Sequence, residues 1–235
     1  MSTVLQCWSA SHPGVLRPVN EDACLCRPAA GLFAVADGVG GAGSGDVAAT
    51  CAMQALSGIP DGLSAPDRLA FTRSRLALAH DDLSRRGRMA GNRTIATTIV
   101  VLLLDDHHFA CLWAGDSRAY LLRRGVLLRL TADHSAVQEM LDEGRISERD
   151  AAIHPHANVI TRALGSGPVL ELDKVVGPVA ADDRFLLCSD GLYKAVGEDE
   201  IGRILGEDGN AAERLVAAAL AFQARDNVTA VVAVI

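Results

Sequence analysis

An α+β layered fold is predicted for this 235-residue chain from how its strands and helices are grouped. Strand-like segments come in blocks joined by short turns, and helical segments come in pairs rather than one after each strand. Short connections make neighbouring strands antiparallel, and this grouping favours segregated layers over a doubly wound parallel sheet. Three apolar runs, LFAVADG (32–38), FACLWAGD (109–116) and RFLLCSDG (184–191), end in an aspartate beside glycine: Asp37, Asp116 and Asp190. A fourth aspartate, Asp226, precedes the last apolar run, RDNVTAVVAVI. Short apolar runs bounded by glycine and polar residues read as buried strands, so these carboxylates sit where strands leave or enter a core.

An initial strand and a strand over 23–27 flank a loop that carries Arg17, Asn20, Glu21 and Asp22. After the first Asp-Gly, the glycine-rich stretch 38–45 reads as a loop. Residues 46–56 form an alanine-rich helix, and 66–86 a second one with Leu69, Leu76 and Leu83 on one stripe and proline at its first position. A strand block follows: 96–104, a turn at Asp105-Asp106, 107–115, 118–123, a hairpin turn at Arg124-Gly125, and 126–130. From 133 to 158 the pattern becomes polar and helical, with Val137, Met140 and Leu141 on one face, a stop at Gly144 and a capping pair in Ser147 and Asp150. This reads as a small surface subdomain. Strands at 175–179 and 184–189, a helix capped by Asn210 and Glu213, and a strand at 228–235 complete the chain.

Composition narrows the function. A net charge of −7 and only two lysines, Lys174 and Lys194, argue against binding a phosphate backbone, so no nucleic-acid partner is expected. No segment reaches the length of a transmembrane helix, and the amino terminus lacks the pattern of a secretory signal. The six cysteines mostly fall inside apolar runs; they read as core residues of a cytoplasmic protein with no membrane partner, and Cys24 and Cys26 lack the second pair that a zinc site needs.

The aspartates carry the chemistry. Brought together, they repel one another unless a cation sits among them, and hard oxygen donors suit Mg²⁺ or Mn²⁺ better than zinc. Arg17 adds a planar fork that matches phosphate oxygens. Taken singly, an Asp-Gly is usually a turn; the ordered set is far more specific. R-P-V-N-E-D (17–22), F-A-V-A-D-G-V-G-G (33–41), T-T (97–98), W-A-G-D-S-R-A-Y (113–120), L-T-A-D-H-S (130–135), N-V-I-T-R-A-L-G (158–165), L-C-S-D-G-L (187–192) and D-N-V-T (226–229) together closely resemble the bacterial metal-dependent type 2C serine/threonine protein phosphatases.

The resemblance implies a four-layer αββα sandwich, two antiparallel sheets flanked by helix pairs. It implies one phosphatase domain over 1–235, with the segment at about 133–158 as a flap. It also implies two Mn²⁺ or Mg²⁺ ions per site. Asp37 would bridge them, Asp190 and Asp226 would hold the first, and Glu21 with the Gly38 carbonyl would serve the second. Asp22 and Asn227 would stand behind these ligands, and Asp116 would help bind a weaker third ion. Hydroxide formed between the metals would attack phosphorus, with Arg17 on the phosphate and Asp37 central to catalysis. Phosphoserine and phosphothreonine proteins would be the substrates, phosphorylated regulators of sigma factors being a narrower class, and a eukaryotic-like Ser/Thr kinase the opposing partner.

Val39 stands where animal members carry a histidine proposed as general acid, which leaves that role unassigned. Ala42 replaces a histidine, and Ile95-Ala96 a Met-Gly pair, that are frequent in bacterial relatives. His134 reads as a structural hydrogen-bonding residue, and His154 and His156 as exposed flap residues. A binding module without turnover would lack a metal aspartate, and a nuclease would show a basic track. Neither feature is present.

Overall fold

The computed structural model describes residues 6–39 and 43–235. The expectations for Gly40 to Ala42, the middle of the glycine-rich loop, lie outside the described residues.

Strands β1 (Gln6–His12), β2 (Asp22–Arg27) and β3 (Leu32–Val39) lead into helices α1 (Gly45–Ser57) and α2 (Ala65–Met89). The strand block is β4 (Ala96–Thr97), β5 (Ile99–Leu104), β6 (His108–Ala114), β7 (Arg118–Arg123) and β8 (Val126–Arg129). Helices α3 (Ala136–Asp142) and α4 (Glu148–Ala152) precede β9 (Asp173–Pro178) and β10 (Arg184–Cys188). Helices α5 (Asp190–Tyr193), α6 (Glu198–Gly206) and α7 (Ala211–Ala221) precede β11 (Val228–Val234). One sheet runs β1-β11-β10-β7-β8 and the other β2-β3-β5-β6-β9, with β4 attached to β3. Each named strand pair is antiparallel.

Alternation along each strand builds three apolar slabs, because successive side chains point to opposite faces. Phe33 and Val35 of β3, Phe185 and Leu187 of β10, and Val231 and Ala233 of β11 meet between the sheets. Leu32, Ala34 and Ala36 face Ala49, Met53, Leu76 and Leu83 of α1 and α2. Leu186, Val232 and Ala230 face Ile201, Leu215 and Ala219 of α6 and α7. The order is therefore helices, sheet, sheet, helices, the four-layer sandwich. Burial on both faces explains why these strands read as nearly continuous apolar runs.

Three features differ from the sequence expectation. The strand expected over 96–104 is two strands, because Thr98 leaves the ladder: its N–H donates to the Asp37 carbonyl (2.8 Å) and its hydroxyl accepts from the Asp37 N–H (3.0 Å). Helices α5 and α6 were not anticipated. Helix α6 has no side-chain cap at Gly197, and only Ile201, Ile204 and Leu205 are buried in it.

Phe185 lies at 1% exposure between the sheets, edge-on to Phe109 at 5.2 Å between ring centroids. Phe185→Ala is expected to lower stability by about 3–5 kcal/mol, read from urea denaturation, since the slab is too constrained to close the void.

Candidate active site

Strand ends at one edge of the sandwich deliver the acidic residues to a single cleft of about 290 Å³ lined by Arg17, Glu21, Asp37, Gly38, Asp116, Asp190 and Asp226. The sequence-predicted residues for metal and phosphate thus converge. Asp22 and Asn227 stand at the back.

Asp37 is held by its own backbone: besides the two Thr98 bonds, its carbonyl accepts from the Thr97 hydroxyl (2.9 Å). Asp22 pairs with it across the ladder from β2. The Asp22 carboxylate accepts from the Ser189 hydroxyl (2.7 Å) and the Thr229 hydroxyl (2.6 Å), which ties the edges of the two sheets together. Its other oxygen, Oδ1, is buried without a partner. Asn227 works as a buckle: its side chain accepts from the Glu21 N–H (2.8 Å) and donates to the carbonyls of Pro13 and Val19, each at 3.0 Å. Those bonds close the loop bearing Arg17. At Gly38 a Cβ would lie 2.3 Å from the Gly45 carbonyl carbon, so only glycine lets the start of α1 approach the end of β3.

Charge dominates the cleft. Burial pushes the Asp37 carboxyl well above its ordinary value, and Asp22, Asp190, Asp116 and Asp226 push it further. Burial raises Asp22 to about 7, partly offset by its bonds to Thr229 and Ser189, and raises Asp116 to about 7 with help from Asp190. Two cations answer. Arg17 forks onto Asp226, Nε to Oδ1 and Nη2 to Oδ2, both at 2.9 Å. Lys194 donates to Asp190 Oδ2 (2.6 Å) and to Asn158 Oδ1 (2.8 Å). Burial opposes the lysine's charge, but Asp190, Asp116 and Asp37 keep its pKa raised. Lys194 was missed in the sequence as a site residue; its place four residues after Asp190, on the helix that Asp190 starts, is the signal that could have found it.

Among the described residues, no three acidic, histidine or cysteine side chains are gathered closely enough to grip an ion as they stand. Asp226 is turned onto Arg17, and Asp190 onto Lys194. The donor chemistry nonetheless fits hard divalent cations: oxygen donors alone, a surplus of negative charge, and the orphaned Asp22 Oδ1 behind Asp37.

The histidines stand apart. His134 stacks on Trp113 at 6.0 Å, accepts from the Gly115 N–H (3.2 Å) and contacts Asp173, a structural role. His154 and His156 contact each other edge-on and do not line the cleft.

A profile described as Protein phosphatase 2C matches residues 17–225. The chain belongs to this family. It is 35% identical over 236 residues to the serine/threonine protein phosphatase PstP of Mycobacterium tuberculosis, covering 99% of this chain and 45% of that protein; the chain thus spans about half of this curated relative's length. The structure of PppA, described as a key regulatory component of T6SS in Pseudomonas aeruginosa, superposes with a TM-score of 0.92 at 38% identity, over 100% of this chain and 99% of that one. The catalytic domain of PstP in complex with two manganese ions gives 0.89 at 34% identity, over 98% of each chain.

A pH dependence follows from the raised carboxyls. Between 3.8, the ordinary aspartate value, and about 7, folded Asp22 and Asp116 hold protons that the unfolded chain has released, so stability falls as pH rises. In chelator, the urea midpoint is expected to decline across that window and Asp22→Asn to reduce the slope, both read from denaturation curves at stepped pH.

Proposed function

We propose that this chain is a Mg²⁺- or Mn²⁺-dependent phosphatase that removes phosphate from phosphoserine and phosphothreonine on proteins. The observation that carries this reading is the convergence of Arg17 with Glu21, Asp37, Asp116, Asp190 and Asp226 in one cleft, in a family whose member PstP is described with two manganese ions in its catalytic domain.

Asp37 is assigned as the carboxylate shared by two cations, Asp190 and Asp226 as holding the first, and Glu21 with the Gly38 carbonyl as serving the second. Asp116 is assigned to a weaker third ion. Asp22 and Asn227 support these residues from behind. When bound, a pair of divalent cations supplies Lewis acidity that lowers the pKa of water and offsets phosphoryl charge. Arg17 presents to two phosphoryl oxygens the same forked donors that it now turns to Asp226. The Thr97 and Thr98 bonds fix the Asp37 backbone, so its carboxylate would hold the cations in place without reorganising. Val39 carries no proton to give, so the proton for the leaving alkoxide comes from another group.

The segment 133–158 is read as a flap within one phosphatase domain. It is held to the body by polar contacts, above all the fork of Arg118 on Asp133 at 3.0 and 2.7 Å, and Asn158 brings its end to Lys194. The opposing partner is a Ser/Thr kinase that phosphorylates the same proteins. The likeness to PppA favours a regulatory phosphatase over a general scavenger of phosphate. The six cysteines are all free, in keeping with a cytoplasmic setting, and no described helix is long and apolar enough to cross a membrane.

Phosphopeptide hydrolysis is expected to need Mn²⁺ or Mg²⁺ and to vanish in chelator. Asp37→Asn and Asp190→Asn should each abolish turnover while circular dichroism remains that of a folded protein. Near wild-type turnover in either variant, after stripping and restoring metal, overturns the assignment.

Arg17→Ala is expected to weaken phosphopeptide use and inhibition by inorganic phosphate together, by about 1.5 to 3 kcal/mol or roughly ten- to a hundredfold. Steady-state kinetics with and without phosphate measure both. Unchanged phosphate inhibition would mark Arg17 as a partner of Asp226 only.

A further inference from the structure

Beside the catalytic cleft lies a second hollow of about 320 Å³. It shares Asn158, Asp190 and Asp226 with the cleft, so a chain seated in one continues into the other. Its outer wall is the turn from α7 into β11, residues Phe222 to Arg225. Three features of that wall go beyond what the fold requires.

Phe222 is 63% exposed, an aromatic face that packs against nothing in the core. Gln223 follows at φ +60°, the left-handed position that usually belongs to glycine. The turn is a Schellman motif: the Gln223 N–H donates to the Leu220 carbonyl and the Ala224 N–H to the Ala219 carbonyl, both at 2.9 Å. A non-glycine residue there is strained, as it is at Asn92, Arg124 and Asp182 in other turns; Gln223 is the one of the four that lines the hollow. Arg225 is exposed, and among the described residues its guanidinium has no hydrogen-bond or ion-pair partner. The contrast with Arg17 and Lys194, which are both engaged by carboxylates, is direct. The backbone beneath is firm: the Val15 N–H donates to the Ala224 carbonyl (3.0 Å), and a Cβ on Gly14 would sit 2.1 Å from the Asp226 carbonyl oxygen.

We propose that Phe222, Gln223 and Arg225 form a specificity subsite that binds an anionic group, carboxylate or phosphate, carried by the phosphoprotein substrate within a few residues of the phosphoamino acid being hydrolysed. The proposal rests on the phosphatase reading above. An arginine at the rim lies outside the catalytic cleft and is not engaged by its carboxylates, so a substrate with negative charge beside its phosphate gains a second, separate attraction there. Phe222 supplies an apolar platform for the intervening backbone and side chain, and the Gln223 amide can donate to the same anion.

The test uses matched phosphothreonine peptides with Mn²⁺. The neighbouring positions carry aspartates, a non-hydrolysable phosphonate side chain, or alanines, and p-nitrophenyl phosphate serves as a substrate too small to reach the subsite. Wild-type kcat/KM is expected to favour an anionic peptide by roughly fivefold, mainly through KM, as for an exposed charge contact. Arg225→Ala should erase that preference and leave p-nitrophenyl phosphate turnover unchanged, while Arg225→Lys keeps part of it. A preference shared by the aspartate and phosphonate peptides identifies a carboxylate as sufficient; a preference for phosphonate alone identifies a second phosphate. Equal use of all three peptides by wild type, or a preference that survives Arg225→Ala, overturns the subsite. Failure to hydrolyse any peptide overturns the phosphatase reading itself.

Discussion

Mutual repulsion among carboxylates at one edge of the sandwich is the constraint to which the rest of the structure answers. Glu21, Asp37, Asp116, Asp190 and Asp226 line one cleft, with Asp22 directly behind. A protein stable by only about 5–15 kcal/mol overall must hold such a cluster with structure that does not itself yield. The backbone does this. Each aspartate sits within, or within a few residues of, a strand whose flanking residues are buried in a slab, and Asp37 is gripped through its own N–H and carbonyl rather than through its carboxylate. That leaves the carboxylate free for chemistry. The Ser189 and Thr229 hydroxyls on Asp22 show the complementary device, in which one carboxylate is given up to tie two sheets together.

The same constraint explains where the cations are. This acidic chain has only two lysines, and one of them reaches the cleft. Lys194 and Arg17 each neutralise one candidate ligand, Asp190 and Asp226. Lys194 also touches Asn158, so charge balance at Asp190 is joined to the position of that residue. The segment 133–158 is attached largely by polar contacts: α3 has no buried residue, Arg118 forks onto Asp133, and backbone bonds join His134 to Gly115 and Thr161 and Ala136 to Val159. With Ala151 the one buried apolar side chain among its described residues, local opening of this segment exposes little apolar surface.

Strands and helices of the slabs were legible because burial on both faces leaves a continuous apolar run, as in Leu32 to Ala36, and because α2 carries a clear stripe. The site residues were legible for a different reason: glycine beside aspartate at a strand end leaves a local trace, and the order of those traces is distinctive. The sequence was silent where partners come from far away. The fork of Arg17 onto Asp226 joins residues at opposite ends of the chain, and the departure of Thr98 from its strand depends on Asp37 across the sheet. Helix α6 lacks a side-chain cap, yet its signals were there to read: three acidic residues in the first turn (Glu198, Asp199 and Glu200), Arg203 in the last, and Ile201, Ile204 and Leu205 on one buried face. Lys194 was seen as a composition count, though its spacing from Asp190 was open to view.

The left-handed Gln223 extends this logic to the rim. Elsewhere in the molecule tight approaches are solved by glycine: Gly38 against α1, Gly14 against Asp226, and Gly115 at φ +112° against Thr98. Those positions are packed, and the residue with no side chain relieves the clash. The turn after α7 is open to solvent, and glycine would relieve its backbone strain as well, yet glutamine stands there between an exposed phenylalanine and an unpaired arginine. Asn92, Arg124 and Asp182 also take positive φ, so the strain at Gln223 is not peculiar to the rim; what the rim adds is the exposed ring and the unpaired guanidinium that flank it. The interior of the cleft gathers the carboxylates; its rim is built from residues that serve no slab.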